Sequence, residues 1–318
     1  MTKDSRSGPE VPSRRVAILL CTYNGARYLG EQLDSFERQT HRDWVIYASD
    51  DGSTDETLDL LRRYQARLGE DRLVMLNGPR KGFAWNFLSL VRNPSIEADF
   101  FAFSDQDDIW HDDKLARGLD RLKRIPAGTP ALFCARTRLV DEAGQVLGYS
   151  PLFSKLPSFR NALVQSLAGA NTMLLNAAAR QLLIGVPEGA RVVSHDWLTY
   201  ILVTGCGGEV FYDAQPTLDY RQHGGNIIGS NASLTDRFKR IRKMMSGTFR
   251  DWNRDNLKAI RQAQPLFTPE NRQVLRQFMM ARKSSALARV RLLRKAGLYR
   301  QTMSGNIGLL LAAGMGKI

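Results

Sequence analysis

A repeated alternation restricts the fold before any single residue does. Short apolar runs break on polar residues and give way to stretches whose apolar side chains recur at helical spacing. Residues 16–21 lead into Thr-Tyr-Asn-Gly and a helical pattern over 28–39. Residues 44–49 lead into "DDGSTDE" and a helix carrying Leu58, Leu61 and Leu68. A third strand is predicted over 72–77, and "ADFFAFSDQDDIW" supplies a fourth, followed by a helix over 112–124. Strand, helix, strand, helix is the pattern of a parallel sheet covered by helices. Open sheets of this kind bind ligands beyond the carboxyl ends of their strands, and two such ends, far apart in the sequence, deliver carboxylates here.

Farther on, a strand is predicted over 131–140, with "DEAG" as the turn of a hairpin, and helical patterns follow around 162–167 and 177–183. "VSHDWLTYILV" opens another helix at His195 and Asp196, and "VFYDAQPTLDYRQHGGNIIG" reads as a strand and a glycine-rich loop. Residues 16–232 therefore read as one α/β domain behind a polar, proline-containing leader over 1–15 that is expected to be disordered. The apolar run that follows the leader is too short for a secretory segment or a membrane span.

The chain of 318 residues carries a formal net charge of +13, so the location of that charge matters. Residues 1–230 hold 26 Lys and Arg against 28 Asp and Glu, whereas residues 231–318 hold 19 against 4. A near-neutral body is thus joined to a basic C-terminal region, 233–318, in which "DRFKRIRKMM" and "SSALARVRLLRKAGLYR" mix cations with apolar residues at helical spacing. Such helices suit an anionic membrane surface, or pack on the body or form an oligomer interface with a solvated basic face. Cys21, Cys134 and Cys206 are odd in number and lack metal-ligand spacing, which supports neither a disulfide framework nor a zinc site and fits a reducing cytoplasm.

Two acidic clusters carry the chemistry. In "SDQDDIW", Asp105, Asp107 and Asp108 crowd three carboxylates into four residues, a repulsion that Mg²⁺ or Mn²⁺ would relieve and that a solvated turn would tolerate. In "SDDGSTDET", Ser53 or Thr54 suits the cap of the next helix, but Asp50 and Asp51 are not explained by capping. Asp196 suits a general base as well as a helix N-terminus. Arg80 and Lys81 form a cationic loop beside Gly82, and Arg221 and His223 flank the glycines of "RQHGGN", where phosphate or metal contact is reasonable.

Together "CTYNGARYLGEQLDSFERQT", "SDDGSTDET", "SDQDDIW", "SHDW" and "YRQHGGN" resemble the family 2 inverting glycosyltransferases of the GT-A fold, over about residues 16–230. More narrowly, "DQDDIW", "HDW" and "YRQHG" are similar to the bacterial rhamnosyltransferases of O-antigen and other surface polysaccharides. The resemblance implies a Rossmann-like, mostly parallel sheet, and it implies roles. Thr22 and Tyr23 would flank the base of a dTDP- or UDP-sugar, and Asp51 would accept its N3 proton. Arg80 or Lys81 would lie near the base or diphosphate, with Arg221 as a further phosphate contact. Asp105 would lie near the ribose, Asp107 on the Mn²⁺ or Mg²⁺, with His223 as an extra metal or phosphate contact, and Asp196 would be the catalytic base. The implied reaction is a single displacement, for instance from dTDP-β-L-rhamnose, onto a glycan or polyprenyl-diphosphate-linked acceptor at the cytoplasmic face of the bacterial inner membrane.

The sequence departs from the family in two places: His195-Asp196 replaces a common Glu-Asp pair, and no Gln-x-x-Arg-Trp segment follows. The second departure favours addition of single sugars over processive synthesis. A UDP-hexose donor remains an alternative, and two readings of other classes stay open: a nucleic-acid binder acting through the basic region, and an Asp-centred nucleotide phosphohydrolase. Against nucleic acid stand a body without surplus positive charge and the lack of zinc-finger or aromatic RNA-binding signatures.

Overall fold

The computed structural model describes residues 14–224 and 247–318. Residues 1–13 of the leader, the glycine-rich loop beyond Gly224, the expected domain boundary at 232/233 and the helix "DRFKRIRKMM" lie outside the described residues.

The elements follow the alternation read from the sequence. They run β1 (Val16–Thr22), α1 (Ala26–Glu37), β2 (Trp44–Asp50), α2 (Thr57–Leu68), β3 (Leu73–Asn77), α3 (Phe83–Arg92) and β4 (Phe100–Ser104), then β5 (Ile109–Trp110), α4 (Lys114–Leu122) and β6 (Ala131–Ala135). β7 (Arg138–Val140), β8 (Val146–Tyr149), α5 (Phe159–Ala162), β9 (Leu174–Asn176), α6 (Ala177–Ile184), α7 (His195–Gly205), β10 (Glu209–Asp213) and β11 (Leu218–Arg221) complete the body.

A seven-stranded sheet has the order β10-β6-β9-β4-β1-β2-β3. Its pairings are parallel except where β9 lies antiparallel between β4 and β6. The chain winds outward from β1 to β2 and β3 and returns on the other side of β1 as β4. The order thus reverses between β1 and β4, where an open α/β sheet forms its ligand crevice. β1 is buried along its whole length, and its alternate residues enter different cores. Val16, Ile18 and Leu20 meet Leu29, Leu33 and Phe36 of α1, while Ala17 and Leu19 face the cluster that holds Phe87, Phe103 and α7. A second, four-stranded sheet, β5-β11-β7-β8, stands beside the crevice.

The described part of the basic C-terminal region, 247–318, holds the helices α8 (Thr248–Ala259), α9 (Pro269–Lys283), α10 (Ala286–Lys295) and α11 (Met303–Gly314). Phe249, Phe267, Val274, Leu275, Phe278, Leu293 and Leu309 are buried in the same cluster as α5, α7 and the sheet. These helices therefore pack on the body while most of their cations face outward; Arg289 instead donates to the carbonyls of Ala281, Ser284 and Ala313. Among the described residues no helix is long and apolar enough to cross a membrane.

Some expectations need correction. The strand expected over 131–140 is two strands in different sheets, parted where the Arg136 N–H donates to the Asp213 carbonyl and the Thr137 N–H to Ser150 Oγ. The segment read as a loop after Arg80 becomes α3 from Phe83, entered through Gly82 without a side-chain cap. Only 159–162 is helical near the pattern expected at 162–167.

Candidate active site

The turn after β2 gives its two carboxylates different surroundings. Asp50 is buried and accepts from Thr22 Oγ1 (2.9 Å), Ser53 Oγ (2.5 Å) and the N–H groups of Gly52 and Ser53. It fixes the turn, and it also takes up the hydroxyl of Thr22, which is itself buried. Asp51 projects toward the loop after β3, accepting from the Arg80 N–H at 2.6 Å and the Gly82 N–H at 3.0 Å. A carboxylate has about four acceptor positions, so Asp51 keeps capacity for a ligand N–H. Gly52 has φ +101°, a conformation L side chains avoid, and the Arg80 side chain lies over it, its Nε 3.2 Å from where a Cβ would stand. Tyr23 is 58% exposed, and Lys81 is exposed on the β3–α3 loop.

The loop after β4 closes the other side of the crevice. Gln106 clamps the β1 loop, accepting from the Tyr23 N–H (2.8 Å) and donating to the Tyr23 carbonyl (3.0 Å). Gly25 makes room for this clamp: a Cβ there would stand 2.2 Å from Gln106 Cδ. Asp105 has its pKa pushed up to about 7 by burial, then by the charges of Asp107 and Asp196, with Lys114 opposing. Asp196 thus stands near enough to the cluster after β4 for its charge to be felt at Asp105. Asp108 points inward instead, accepting from Asn171 Nδ2 at 2.6 Å, while Lys114 donates to the Asn171 carbonyl. Burial raises the Asp108 pKa well above the usual carboxylate range and lowers that of Lys114 to about 7. These three residues form a buried knot that anchors the acidic loop from beneath.

The four-stranded sheet delivers the next pair. From the end of β11, Arg221 is 2% exposed, donating to Glu31 (2.8 Å), to the Glu142 carbonyl (2.8 Å) and to the Asp107 carbonyl (3.4 Å). This guanidinium, expected as a phosphate contact, braces the main chain at Asp107 against α1. His223 rests against the Tyr28 ring and places Nε2 2.8 Å from Asp107 Oδ2.

At the start of α7 the adjacent pair separates by role. His195 is stacked on Phe87 with ring centroids 4.0 Å apart and lies edge-on to Phe103. Both ring nitrogens lack hydrogen-bond partners, and burial depresses its pKa to about 3, so it packs as a neutral ring. Asp196 stands in the first turn behind the N-cap Ser194. Burial raises its pKa, opposed by hydrogen bonds from Ser194, the main chain and Ser166, the last at 3.4 Å.

Tyr23, Asp51, Arg80, Asp105, Asp107 and His223 thus lie on neighbouring loops, with Asp196 near Asp105 and Arg221 bracing Asp107; Thr22, expected beside the base, is instead buried with its hydroxyl on Asp50. Sequence reasoning missed Gln106, Asn171 and Lys114. Of these, only Gln106 had a signal, its place between Asp105 and Asp107.

Among the described residues no group of three or more His, Cys, Asp or Glu side chains is arranged as a complete metal cage. Asp107 and His223 nonetheless fit an open site: one carboxylate and one imidazole, already at hydrogen-bonding distance, in a pocket of surplus negative charge. A cation bound mainly through substrate phosphates needs only one or two protein ligands.

A mostly parallel sheet with an acidic crevice at its switch point defines a GT-A fold transferase. Staphylococcus aureus TarS 1-349 in complex with UDP-GlcNAc shares this fold at 14% identity and a TM-score of 0.55, over 95% of this chain and 91% of that one. Residues 17–179 match the family described as glycosyl transferase family 2, and the chain belongs to that family and is a glycosyltransferase. It is 29% identical to the dTDP-rhamnosyl transferase RfbG of Shigella flexneri, over 70% of this chain and 78% of that protein. A teichuronic acid biosynthesis glycosyltransferase assignment, TuaG of Bacillus subtilis, is 32% identical over 33% of this chain and 40% of its own length.

Proposed function

We propose that the chain moves one sugar, L-rhamnose from dTDP-β-L-rhamnose, onto a hydroxyl of a glycan or polyprenyl-diphosphate-linked acceptor with inversion. One observation carries this reading: Asp51, the Asp105/Asp107/His223 cluster and Asp196, from four distant stretches of sequence, are brought together by the fold. The family sets the reaction class, and the likeness to a dTDP-rhamnosyl transferase favours this donor.

In this reading Asp51 accepts the N3–H of the pyrimidine, Tyr23 and the Arg80 side chain line the base, and Lys81 adds positive charge near the diphosphate. Asp105 accepts from the ribose. Asp107 and His223 would hold Mn²⁺ or Mg²⁺, which when bound supplies Lewis-acid stabilisation of the departing diphosphate. Asp196 takes the proton from the acceptor hydroxyl as that oxygen attacks the anomeric carbon from the face opposite the leaving group. The β-linked donor then yields an α-linked product. Arg221 acts by holding the main chain at Asp107 in place.

The proposal extends to the basic region, 233–318, as a peripheral attachment to the anionic cytoplasmic face of the membrane that carries such acceptors. Within its described part, residues 271–318 hold ten Lys and Arg and no Asp or Glu. Leu287, Met303, Ile307 and Leu311 stand exposed among them.

The test is binding and turnover of a panel of dTDP- and UDP-sugars, with Mn²⁺, Mg²⁺ or EDTA. The expected outcome is metal-dependent dTDP release with dTDP-rhamnose preferred. Preference for a UDP-hexose would replace the donor, and absence of any metal-dependent nucleotide binding would sink the reading.

A further inference from the structure

A concavity that the reaction as described leaves unused lies between the segment leading into α7 and the helix α8. It is a hollow of about 290 Å³ whose walls include Arg191, Val192 and Val193 on one side and Asp251, Trp252 and Asp255 of α8 on the other. Its size falls just below the usual range of ligand pockets, about 300–1,000 Å³, and suits no more than one sugar ring. Trp252 is 38% exposed, and of the five tryptophans in the chain it is the one whose ring stands exposed. Asp255 is 5% exposed, its carboxylate held by Arg191 Nε at 3.4 Å and Arg254 Nε at 3.3 Å. The Arg191 side chain is itself 82% exposed at the rim.

We propose that this hollow is a subsite for an uncharged sugar ring of the acceptor, with Trp252 under the ring and Asp251, Asp255 and Arg191 bonding its hydroxyls. The inference rests on the glycosyl-transfer reading above and adds to it the part of the chain that selects the acceptor.

Three arguments carry it. The first is chemistry. An aromatic face covers the C–H side of a pyranose, carboxylates accept from hydroxyls, and a guanidinium donates to them. Asp251 and Asp255 are each paired with a guanidinium, Arg254 reaching both and Arg191 reaching Asp255, so the hollow carries little net charge and suits a neutral sugar ring. The Arg191 guanidinium on Asp255 likewise opposes a cationic ligand.

The second argument is position. Val193 precedes Asp196 by three residues, and an extended chain covers about 3.5 Å per residue, so the wall of the hollow lies within about 10 Å of the base. The backbone at the wall of the hollow and the backbone that carries the base are therefore neighbours, which suits a sugar of the acceptor next to the one that reacts.

The third argument is coupling through packing. Trp252 meets Trp197 edge-on at 6.4 Å, and Trp197 stacks on Phe249 at the same distance. Trp197 is the residue after Asp196, and its indole N–H donates to the Ala162 carbonyl at 2.6 Å. Helix α8 is thus registered on the helix that carries the base, which fixes the hollow relative to the reacting centre.

The experiment is saturation-transfer NMR on the full chain with methyl glycosides of rhamnose, glucose, galactose and N-acetylglucosamine, and titration of dTDP in the same samples. Wild type is compared with Trp252→Ala, Trp252→Phe and Arg191→Ala. The expected result is transfer to at least one glycoside, weakened fivefold or more in Trp252→Ala and Arg191→Ala, and largely kept in Trp252→Phe, with dTDP affinity unchanged. Arg191→Ala alters an exposed side chain and guards against misreading a folding defect at Trp252. Equal transfer in wild type and both alanine variants overturns the proposal. So does silence toward every glycoside by a wild type that binds dTDP. Glycoside binding that needs Trp252, in a protein that binds no nucleotide, keeps the subsite and removes the donor reading instead.

Discussion

Asp196 and His195 are neighbours in sequence, and the fold turns one toward the crevice and the other into a cage of phenylalanines. Asp196→Asn keeps the shape and removes the proton acceptor, so kcat should fall by about 10²–10⁴ with dTDP affinity unchanged, as single-turnover kinetics and calorimetry would show. Because burial raises the Asp196 pKa, the acid limb of kcat/KM should lie above the ordinary carboxylate range. Activity is lost as pH falls through that limb and the base becomes protonated. A limb at the ordinary value would assign it to another group. His195 has the opposite sign of shift. Its folded value of about 3 lies below the unfolded value of about 6.5. The stability it contributes is therefore present above 6.5 and is lost as pH drops between the two values, where the unfolded chain binds more protons. His195→Leu should flatten that slope, read as a smaller difference between urea midpoints at neutral and mildly acid pH.

The loops at the crevice are held to one another by a few side chains acting on main-chain groups. Gly25→Ala would drive a Cβ into Gln106 and release both of its bonds to Tyr23. Each such hydrogen bond is worth about 0.5–1.5 kcal/mol to the folded state, so the variant should melt at a lower temperature, and dTDP should bind more weakly because the Tyr23 loop is no longer held, as thermal denaturation and titration would show. The strands behind these loops were legible in the sequence because β1, β2 and β4 are continuous apolar runs buried on both faces. β9 was not, since three residues inserted antiparallel leave no periodicity to read. The start of α3 was hidden by an uncapped glycine entry, and the break between β6 and β7 depends on partners at Asp213 and Ser150 that no local pattern announces. The acidic site residues could be read because they fall at strand ends. Asn171 and Lys114 could not, because their meaning comes from Asp108, which reaches them only after folding.

At the scale of the molecule, a near-neutral catalytic body carries a basic outer layer. If that layer meets an anionic membrane, the protein should sediment with vesicles containing phosphatidylglycerol and not with phosphatidylcholine alone, and salt should release it. Changing Arg291, Arg294 and Lys295 of α10 together to Glu should abolish sedimentation while leaving dTDP binding intact. Sedimentation unaffected by these changes would show that α10 is not the contact. The C-terminal basic surplus was plain in the sequence. That its helices finish the same core as α5 and α7 was not, because an amphipathic pattern shows that a face is covered without saying by what. For recombination among related transferases this core sets an unexpected seam. A hybrid joined at residue 247 would pair one parent's Phe249, Phe267 and Phe278 with the other's Trp197 and Phe159, so acceptor preference would be inherited intact only when α5, α7 and the C-terminal helices travel together.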